Sequence, residues 1–511
     1  MARSRHFAHS VLLAFAGQAI IMSAGLWLTP FLLGKLGVLR YGVWILGQQF
    51  LTYMTMLDFG VVALLPREIA YAEGRKSVVA GPVARTARLL VLQTPIAGAI
   101  AISLAFILTR NATPHAAEMR PAALIAAVAF TVLFPFRAAR AICEGLQDLG
   151  YIGTAYLIAW AVGFAVTVAA ITRGAGIAAL ALGWATMQAT EAALCASRVW
   201  LRWRHAIPSW RLLRSPAPAG ERLARGMWIS VSQISQVLIY GTDSVIVGKM
   251  FGAAAIVPYS CTGKLINVLS NQPQHIMRAA EPGLSQMRMS ESRARLASVT
   301  NALSLAMLLA SGLVVTVCLA VNPAFVQWWV GGKYFSGFGL TLLFSLSMVL
   351  RHLNITAIYT LFAFGHEKLL AMTSLADGVL STALSILFAL LLHSPAGIVL
   401  GSIASTCCVL GFANGRKLSA ELAVRQRDLY KPLAGWFWRM VLVGFGAYVV
   451  SGLGPAKGFV AIAMMGCAAA AAYAGIMLPV ALRSSLEPYL RPVLSRFRWR
   501  TVRVVPVENQ A

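Results

Sequence analysis

Charge is scarce in this sequence, and acidic charge is scarcest. Only 12% of the 511 residues are charged, and 43 lysines and arginines stand against 17 aspartates and glutamates. Hydrophobic residues make up 59% of the chain, which excludes a soluble globular protein of this length. Apolar runs of about 20 residues, long enough to cross a bilayer as helix, recur from end to end. The sequence therefore predicts an all-α polytopic membrane protein with about 14 transmembrane helices.

Cysteine is also sparse, and the motifs of soluble enzymes are missing. The seven cysteines fall within or at the edges of apolar runs, so we expect neither a disulfide framework nor a metal site. No phosphate-binding glycine loop, GxSxG elbow or HExxH helix occurs. We therefore predict that the chain is not an enzyme and carries no cofactor.

The net charge of +26 is explained by membrane topology. Most lysines and arginines fall in alternate loops, and the positive-inside rule then places both termini in the cytoplasm. Such loops attract anionic membrane lipids, which we expect as partners, and nucleic acid is not expected. The first apolar run is too long for a typical leader and is predicted to stay in the membrane.

Two pairs of similar segments indicate an internal repeat. A Gly-Lys doublet closes an apolar run in TPFLLGKLG (29–37) and in TDSVIVGKMFG (242–252). GLQDLGYIG (145–153) is similarly matched by GHEKLLAMT (365–373), with an offset of about 220 residues. Six predicted helices separate each element from its counterpart, so both copies have the same orientation. We predict two parallel six-helix lobes, an arrangement typical of alternating-access transporters.

The predicted organisation has five segments. An N-terminal lobe (1–199) is followed by a basic cytoplasmic linker (200–226) and a C-terminal lobe (227–415). A basic loop with two additional helices (416–482) and a basic cytoplasmic tail (483–511) complete the chain.

The predicted span at 257–281 carries a continuous polar face. Its members are spaced three or four residues apart: Ser260, Lys264, Asn267, Asn271, His275 and Arg278. This spacing places all of them on one side of a helix. Polar groups are costly in lipid, so they line a cavity or form hydrogen bonds between helices.

Other predicted spans add isolated charges and shorter polar faces. The span at 227–250 has Ser232, Gln236, Tyr240 and Asp243, and a later span has Ser374, Asp377, Ser381 and Ser385. Arg351 lies deep in its span and requires an anion or a carboxylate such as Asp243 or Asp377.

Candidate roles follow from these positions. We predict a substrate cavity lined by Lys264, Asn267, Asn271, His275, Arg278, Arg351, Gln236 and Tyr240. Asp243, Asp58 and Asp377 are candidates for ion coupling. The alternative is a structural ion pair for Asp243 or Asp377 and a structural polar contact for Asp58. Arg137 and Arg140 are candidates to receive an anionic headgroup, with a solvated helix end as the alternative.

Several blocks resemble the polysaccharide flippases of the multidrug, oligosaccharidyl-lipid and polysaccharide exporter superfamily. They include MLDFGVVALLPREIA (56–70), TDSVIVGKMFGAAAIVPYSCTGKL (242–265), EPGLSQM (281–287) and FAFGHEKLLAMTSLADG (362–378). The blocks cover the predicted twelve-helix core in matching order and spacing.

The resemblance implies transport of a polyprenyl-pyrophosphate-linked oligosaccharide across the bacterial cytoplasmic (inner) membrane. Such a flippase serves surface polysaccharides, including the O-antigen of lipopolysaccharide, and is coupled to H⁺ or Na⁺. Other membrane proteins of polysaccharide assembly are candidate partners. The alternatives are a multidrug antiporter of the same superfamily and, less favoured, a membrane glycan polymerase or ligase, which needs a larger external loop.

Overall fold

A computed structural model describes residues 2–74, 77–110, 114–214, 220–452, 458–482 and 484–488, and every regular element within these ranges is helical. The predicted tail at 483–511 lies almost wholly outside the described residues, as do positions 215–219 of the predicted linker. The all-α polytopic fold expected from the sequence is confirmed.

Twenty α-helices follow one another in the described chain. The first ten are α1 (Ala2–Met54), α2 (Val61–Gly74), α3 (Ala80–Arg110), α4 (Pro114–Leu133), α5 (Arg137–Gly145), α6 (Leu149–Thr172), α7 (Ala178–Arg202), α8 (Trp210–Arg214), α9 (Gly220–Tyr240) and α10 (Asp243–Phe251). The second ten are α11 (Ala253–Leu269), α12 (Asn271–Ser290), α13 (Arg293–Trp329), α14 (Phe338–Ala363), α15 (Glu367–Leu392), α16 (Ala396–Val409), α17 (Gly415–Leu422), α18 (Gln426–Tyr430), α19 (Ala434–Gly452) and α20 (Phe459–Leu482).

The chain divides into two compact units. The first unit contains residues 1–260 and 374–401, and the second contains residues 261–373 and 402–511. The lobe boundaries drawn from the sequence at 199 and 227 stay a prediction.

Ten helical stretches of the described chain are long and apolar enough to cross a membrane. One of them, Ile20–Met54, joins parts of two predicted spans. The region 227–281, for which the sequence predicts two spans, consists of α9 to α12, which are shorter helices separated by breaks. The number of about 14 transmembrane helices therefore stays a prediction, because polar residues and breaks interrupt the apolar runs in this region.

The two Gly-Lys doublets lead into the same backbone break. Gly37 interrupts α1 with φ 77° and ψ 167°, and Gly252 separates α10 from α11 with φ 87° and ψ 160°. Glycine reaches these angles without the steric penalty that a Cβ adds. The shared conformation at matching places supports the repeat predicted from the sequence.

The second repeated segment forms a helix pair in each copy. Helices α6 and α15 begin at Leu149 and Glu367, and α7 and α16 begin at Ala178 and Ala396. The offset is 218 residues in both cases. The repeat therefore extends over two helices and the turn between them.

Small residues bring helices of the first unit into close contact. A Cβ on Gly163 of α6 would lie 2.6 Å from the carbonyl oxygen of Gly183 on α7. A Cβ on Gly183 would in turn meet Thr167, whose hydroxyl donates to the Gly163 carbonyl at 2.9 Å. Packing between small residues is the usual way that helices associate where lipid replaces water.

The long helix α13 is the centre of the second unit, and α19 and α20 pack against it. Tyr473 of α20 donates its hydroxyl to the Leu309 carbonyl at 2.8 Å and accepts a hydrogen bond from Trp436 Nε1 at 3.2 Å. Trp436 and Tyr473 are both buried. The two additional helices are therefore integral to the packing of this unit.

Candidate functional site

The polar face predicted from the sequence lies on α11 and α12. Lys264 is partly exposed, and Asn267, Asn271, His275 and Arg278 are exposed. Ile266 and Met277, on the same two helices, are 2% and 0% exposed. The two helices therefore pack through their apolar side and leave the polar side open. We call Lys264, Asn267, Asn271, His275 and Arg278 the polar face.

The polar face crosses the junction between two helices. Helix α11 ends at Leu269, and Ser270 keeps helical angles (φ −61°, ψ −24°) before α12 begins. Pro273 has no backbone N–H to continue the hydrogen-bond ladder, which explains the junction. Because Ser270 remains helical, the spacing of three and four residues still holds across it.

Two aromatic residues of α14 lie beside this segment. A Cβ on Gly263 would be 3.1 Å from the Phe344 ring and 3.4 Å from Asn267 Nδ2, so the glycine makes room for the ring. At the other end, Arg278 donates from Nε to the Tyr359 hydroxyl at 3.3 Å. Neither aromatic residue was predicted to lie near the polar face, because nothing in the spacing along α14 marks them.

Arg351, also on α14, donates a hydrogen bond from Nη2 to Ser402 Oγ of α16. The sequence predicted an anion or a carboxylate for this guanidinium. A hydroxyl accepts a hydrogen bond without neutralising the positive charge, so this contact leaves the charge of Arg351 in place. The assignment of Arg351 to a substrate cavity stays a prediction.

The residues next to Arg351 form buried polar contacts. His352 Nδ1 lies 2.7 Å from Ser311 Oγ of α13, and His352 is 2% exposed. Asn354 Oδ1 accepts a hydrogen bond from Asn414 Nδ2 at 2.8 Å. These contacts are structural links between helices, and the sequence alone identified neither pairing.

In the first unit, an ion-coupling candidate and a headgroup candidate form an ion pair. Arg137 Nη2 lies 3.2 Å from Asp58 Oδ2, and Asp58 is 1% exposed. The other carboxylate oxygen accepts from the Gly60 N–H at 3.0 Å, across a turn in which Phe59 has φ 50°. Within the described chain, Arg137 Nη1 is buried without a hydrogen-bond partner. The pair supports the structural alternative for Asp58.

Two further arginines of the first unit bind carboxylates. Arg140 forms an ion pair with Glu191 of α7, and Arg198 Nε lies 2.8 Å from Asp148 Oδ2. Asp148 also accepts from Trp203 Nε1 at 3.3 Å. Arg140 keeps about half of its side chain exposed, so it remains accessible to an anion. The sequence did not reveal these pairs, because about 50 residues separate the partners.

The pKa of Asp148 is lower than the ordinary value of an aspartate. Partial desolvation raises it, but hydrogen bonds from Arg198 and Trp203 and the charges of Arg198 and Arg202 outweigh that effect. Asp148 lies between α5 and α6, outside the membrane-spanning stretches. It is therefore ionised whenever the protein is folded near neutral pH.

The polar residues predicted on one helix at 227–250 are divided between two helices. Gln236 and Tyr240 are exposed on α9, whereas Asp243 occupies the first turn of α10. Asp243 Oδ2 accepts a hydrogen bond from the Tyr259 hydroxyl at 3.1 Å. The break at Gly241 and Thr242 thus turns a predicted continuous face into two short segments.

Asp377 lies in a closely packed part of the first unit. It is 4% exposed, and the adjacent Gly378 would bring a Cβ to 2.8 Å from Leu238 of α9. Farther along α15, Ser385 donates to the Ile398 carbonyl at 2.8 Å, and a Cβ on Gly401 would meet the Ser385 backbone. Ser385 therefore serves a contact between helices, and the ion-coupling assignment of Asp377 stays a prediction.

A cluster around Glu421 was missed from the sequence. Its Oε2 lies 2.9 Å from Arg288 Nη1, and its Oε1 lies 2.9 Å from His366 Nε2 and 3.0 Å from Lys417 Nζ. The partners come from the end of α12, the turn before α15, and α17. Glu421 therefore connects the end of α12, which carries part of the polar face, to the turn before α15 and to α17.

Metal ligands do not gather in the part of the chain that the structure describes: no group of three or more His, Cys, Asp or Glu residues there is placed to hold a metal ion.

Comparison with known proteins identifies the fold class. The sequence profile of a family described as "Polysaccharide biosynthesis protein" matches residues 96–338. No curated protein sequence matches the chain significantly. Solved structures of membrane transporters have a similar fold.

The structure of the lipid II flippase MurJ in an inward closed conformation is 11% identical and covers 93% of this chain and 100% of its own, with a TM-score of 0.62. An inward-facing multidrug resistance MATE family transporter of the MOP superfamily is 14% identical. The match covers 80% of this chain and 94% of that transporter, with a TM-score of 0.54. A MOP superfamily transporter from Pyrococcus furiosus is also 14% identical, and the match covers 81% of this chain and 94% of that transporter, with a TM-score of 0.50.

The chain thus has the fold of the MOP superfamily transporters. The profile match over residues 96–338 agrees with the resemblance to the superfamily's polysaccharide flippases drawn from the sequence, and the solved structures show the shared fold. Because the structural neighbours share less than 25% identity with this chain, they establish its fold and leave its cargo to be argued from its own residues.

Proposed function

We propose that this protein moves a polyprenyl-pyrophosphate-linked oligosaccharide across the membrane by alternating access. The observation that carries the proposal is the polar face of α11 and α12. It places Lys264, His275 and Arg278 along one accessible side of a segment that is otherwise packed through apolar residues. The family profile described as a polysaccharide biosynthesis protein and the fold shared with a lipid II flippase support the same cargo class.

The chemistry of the cargo matches the chemistry of the polar face. A pyrophosphate carries charge that hydrocarbon cannot solvate, so its passage requires groups that replace water. Lysine and arginine form strong charge-assisted hydrogen bonds with phosphate oxygens, and Arg351 is a further candidate of this kind. The amides of Asn267 and Asn271 suit sugar hydroxyls, and Gln236 and Tyr240 stay candidates predicted from the sequence.

Ion coupling is proposed through a carboxylate, with H⁺ or Na⁺ as the coupling ion. Asp58 already pairs with Arg137, and Asp377 lies in a closely packed helix contact. Asp243 accepts its hydrogen bond from a neutral tyrosine hydroxyl at the start of a short helix. We favour Asp243, because it begins a short helix directly after the break at Gly241 and Thr242, where a change in the charge of a carboxylate can be coupled to a change in the backbone.

We place the protein in the bacterial inner membrane with both termini in the cytoplasm. The excess of lysine and arginine in alternate loops supports this orientation. The O-antigen of lipopolysaccharide and related surface glycans are the cargoes that the family resemblance favours. A role beside other membrane proteins of polysaccharide assembly follows from the same proposal.

A multidrug antiporter is the second candidate, because transporters of the MATE family share the fold. The sign of charge separates the two candidates: cationic drugs require a negatively charged cavity, whereas Lys264 and Arg278 make the polar face basic. For the Pyrococcus furiosus transporter, reversed polarity of the binding pocket is said to suggest a different function. The basic polar face therefore favours an anionic cargo here.

The decisive experiment compares cargo transfer by purified protein in liposomes. A fluorescent polyprenyl-pyrophosphate oligosaccharide is loaded into one leaflet, and its appearance in the other is followed. The double variant K264A/R278A is expected to reduce transfer at least tenfold, because two of the basic residues proposed to meet the pyrophosphate are removed. The control R173A/K249A removes two exposed cations elsewhere and should transfer at the wild-type rate. Undiminished transfer by K264A/R278A would refute the assignment.

A further inference from the structure

The segment 198–214, RVWLRWRHAIPSWRLLR, joins the end of α7 to α8 and is rich in arginine and tryptophan. It contains five arginines and three tryptophans, and it has no acidic residue. The transport proposal leaves the segment without a role. Arginine and tryptophan together are typical of the boundary between lipid and water.

This segment is anchored to the first unit at defined points. Asp148 binds Arg198 and Trp203 together, with distances of 2.8 Å to Arg198 Nε and 3.3 Å to Trp203 Nε1. Ala206 is fully buried in the core of the unit, and Ile207 packs against that core. The segment is therefore held in one orientation.

Several side chains of the anchored segment remain exposed. Trp200, Leu201 and Trp210 are 59%, 75% and 66% exposed. The exposed arginines of the same stretch are Arg202, Arg204 and Arg211. These six residues, Trp200, Leu201, Arg202, Arg204, Trp210 and Arg211, define the arginine–tryptophan surface.

Aromatic and basic groups are interleaved on this surface. The guanidinium of Arg204 lies 5.5 Å from the Trp200 ring, and its Nε donates to the Trp200 carbonyl at 3.0 Å. Arg202 lies 5.3 Å from the Trp203 ring. Large exposed aromatic rings are unfavourable in water, and a planar guanidinium beside them is suited to phosphate. The surface therefore combines apolar rings that favour a lipid environment with basic groups that bind anions.

We propose that the arginine–tryptophan surface binds the anionic phospholipid headgroups of the membrane that holds the first unit. Trp200, Leu201 and Trp210 enter the headgroup region, where amphipathic rings are stable, and Arg202, Arg204 and Arg211 contact lipid phosphates. A soluble partner would satisfy the arginines but would not require exposed tryptophans beside predicted membrane helices. The inference is independent of the transport proposal, because it concerns lipids of the bilayer and not the cargo.

The test uses the full-length protein in mild detergent and mixed micelles containing phosphatidylglycerol or phosphatidylcholine. Binding is measured by native mass spectrometry and by the shift in melting temperature. Each arginine near an anionic surface contributes about fivefold in affinity, so R202Q/R204Q/R211Q is expected to bind phosphatidylglycerol roughly a hundredfold more weakly. The control R120Q/R173Q/K333Q removes the same charge from exposed positions elsewhere and should keep wild-type binding.

A second measurement keeps the proposal testable if the triple variant is unstable. Brominated phosphatidylglycerol quenches tryptophan within the bilayer boundary, and W200F/W210F should lose the part of the wild-type quenching that these two of the 13 tryptophans contribute. Equal phosphatidylglycerol affinity in the triple variant, or equal loss in the charge control, would overturn the proposal. So would unchanged quenching in W200F/W210F. Inorganic phosphate should produce no comparable shift, and a comparable shift would assign the surface to free anions instead.

Discussion

The buried carboxylate of Asp58 forms an ion pair with Arg137, in which Asp58 Oδ2 lies 3.2 Å from Arg137 Nη2. Asp58 follows α1 at a sharp turn, and Arg137 opens α5, so the pair ties together parts of the chain that are 79 residues apart. The sequence suggested ion coupling for Asp58 and headgroup binding for Arg137, and in the structure these two residues bind each other.

Removing either partner of this pair should destabilise the first unit. R137Q leaves a buried carboxylate without its counter-charge, and a loss of about 3 kcal/mol is expected. D58N should cost less, because its amide can still accept from the Gly60 N–H. In the double variant D58N/R137Q, the losses should be smaller than additive, which unfolding in detergent would measure. Strict additivity would mean that the two charges do not stabilise each other.

Asp148 predicts a pH dependence of stability. Its pKa is lowered in the folded protein, so its contribution is present above the unfolded pKa and is lost as pH falls through the lower folded pKa. The wild-type melting temperature should therefore decrease below about pH 4, in the range where aspartate becomes protonated. D148N should be less stable near neutral pH and should show a smaller change on acidification.

The matched control for Asp148 is D428N, which removes an exposed aspartate on α18. It should retain the wild-type pH profile of melting temperature. A D148N profile that is parallel to wild type at every pH would show that ionisation of Asp148 makes no contribution to the pH dependence of stability.

Gly312 is predicted to be intolerant of any side chain. A Cβ at this position of α13 would lie 2.3 Å from the Tyr473 hydroxyl and 3.0 Å from Trp436. G312A should therefore displace α20 and break the hydrogen bonds of Tyr473, with a cost of about 1 to 3 kcal/mol. Adding Y473F removes the closest atom and should recover part of the loss.

The control for Gly312 is G466A on α20, where the nearest neighbour of a new Cβ is 3.6 Å away. Its melting temperature should match that of the wild type. If G312A is as stable as G466A, then the contact between α13 and α20 is looser than the structure indicates.

Local periodicity predicted much of the fold and one side of the candidate site. The five residues of the polar face are spaced three or four apart, so the sequence alone predicts that they share one side of a helix. The repeat was also visible, since Gly37 and Gly252 each follow a Gly-Lys doublet. Helix breaks such as the one before Asp243 were not predicted, because an apolar run of suitable length does not show where its hydrogen bonds are interrupted.

Contacts between distant residues could not be predicted in the same way. Arg140 pairs with Glu191 and Arg351 binds Ser402, and each pair is separated by 51 residues. A single sequence shows that a buried charge needs a partner but does not show which one. The sequence therefore shows that these charges lie in apolar segments, and only the tertiary structure shows which residues they contact.

Glu421 should hold the end of α12 in place. Its carboxylate contacts Arg288, His366 and Lys417 at 2.9 to 3.0 Å, so E421Q leaves an excess of basic groups in one place. Repulsion among these groups should loosen the last turn of α12, and amide hydrogen exchange at residues 285–290 should become at least tenfold faster. E367Q neutralises an exposed acid next to His366 and should leave that exchange unchanged. Equal exchange in E421Q and the wild type would show that the apolar contacts of Met277 and Leu284, both buried, fix this helix without help from Glu421.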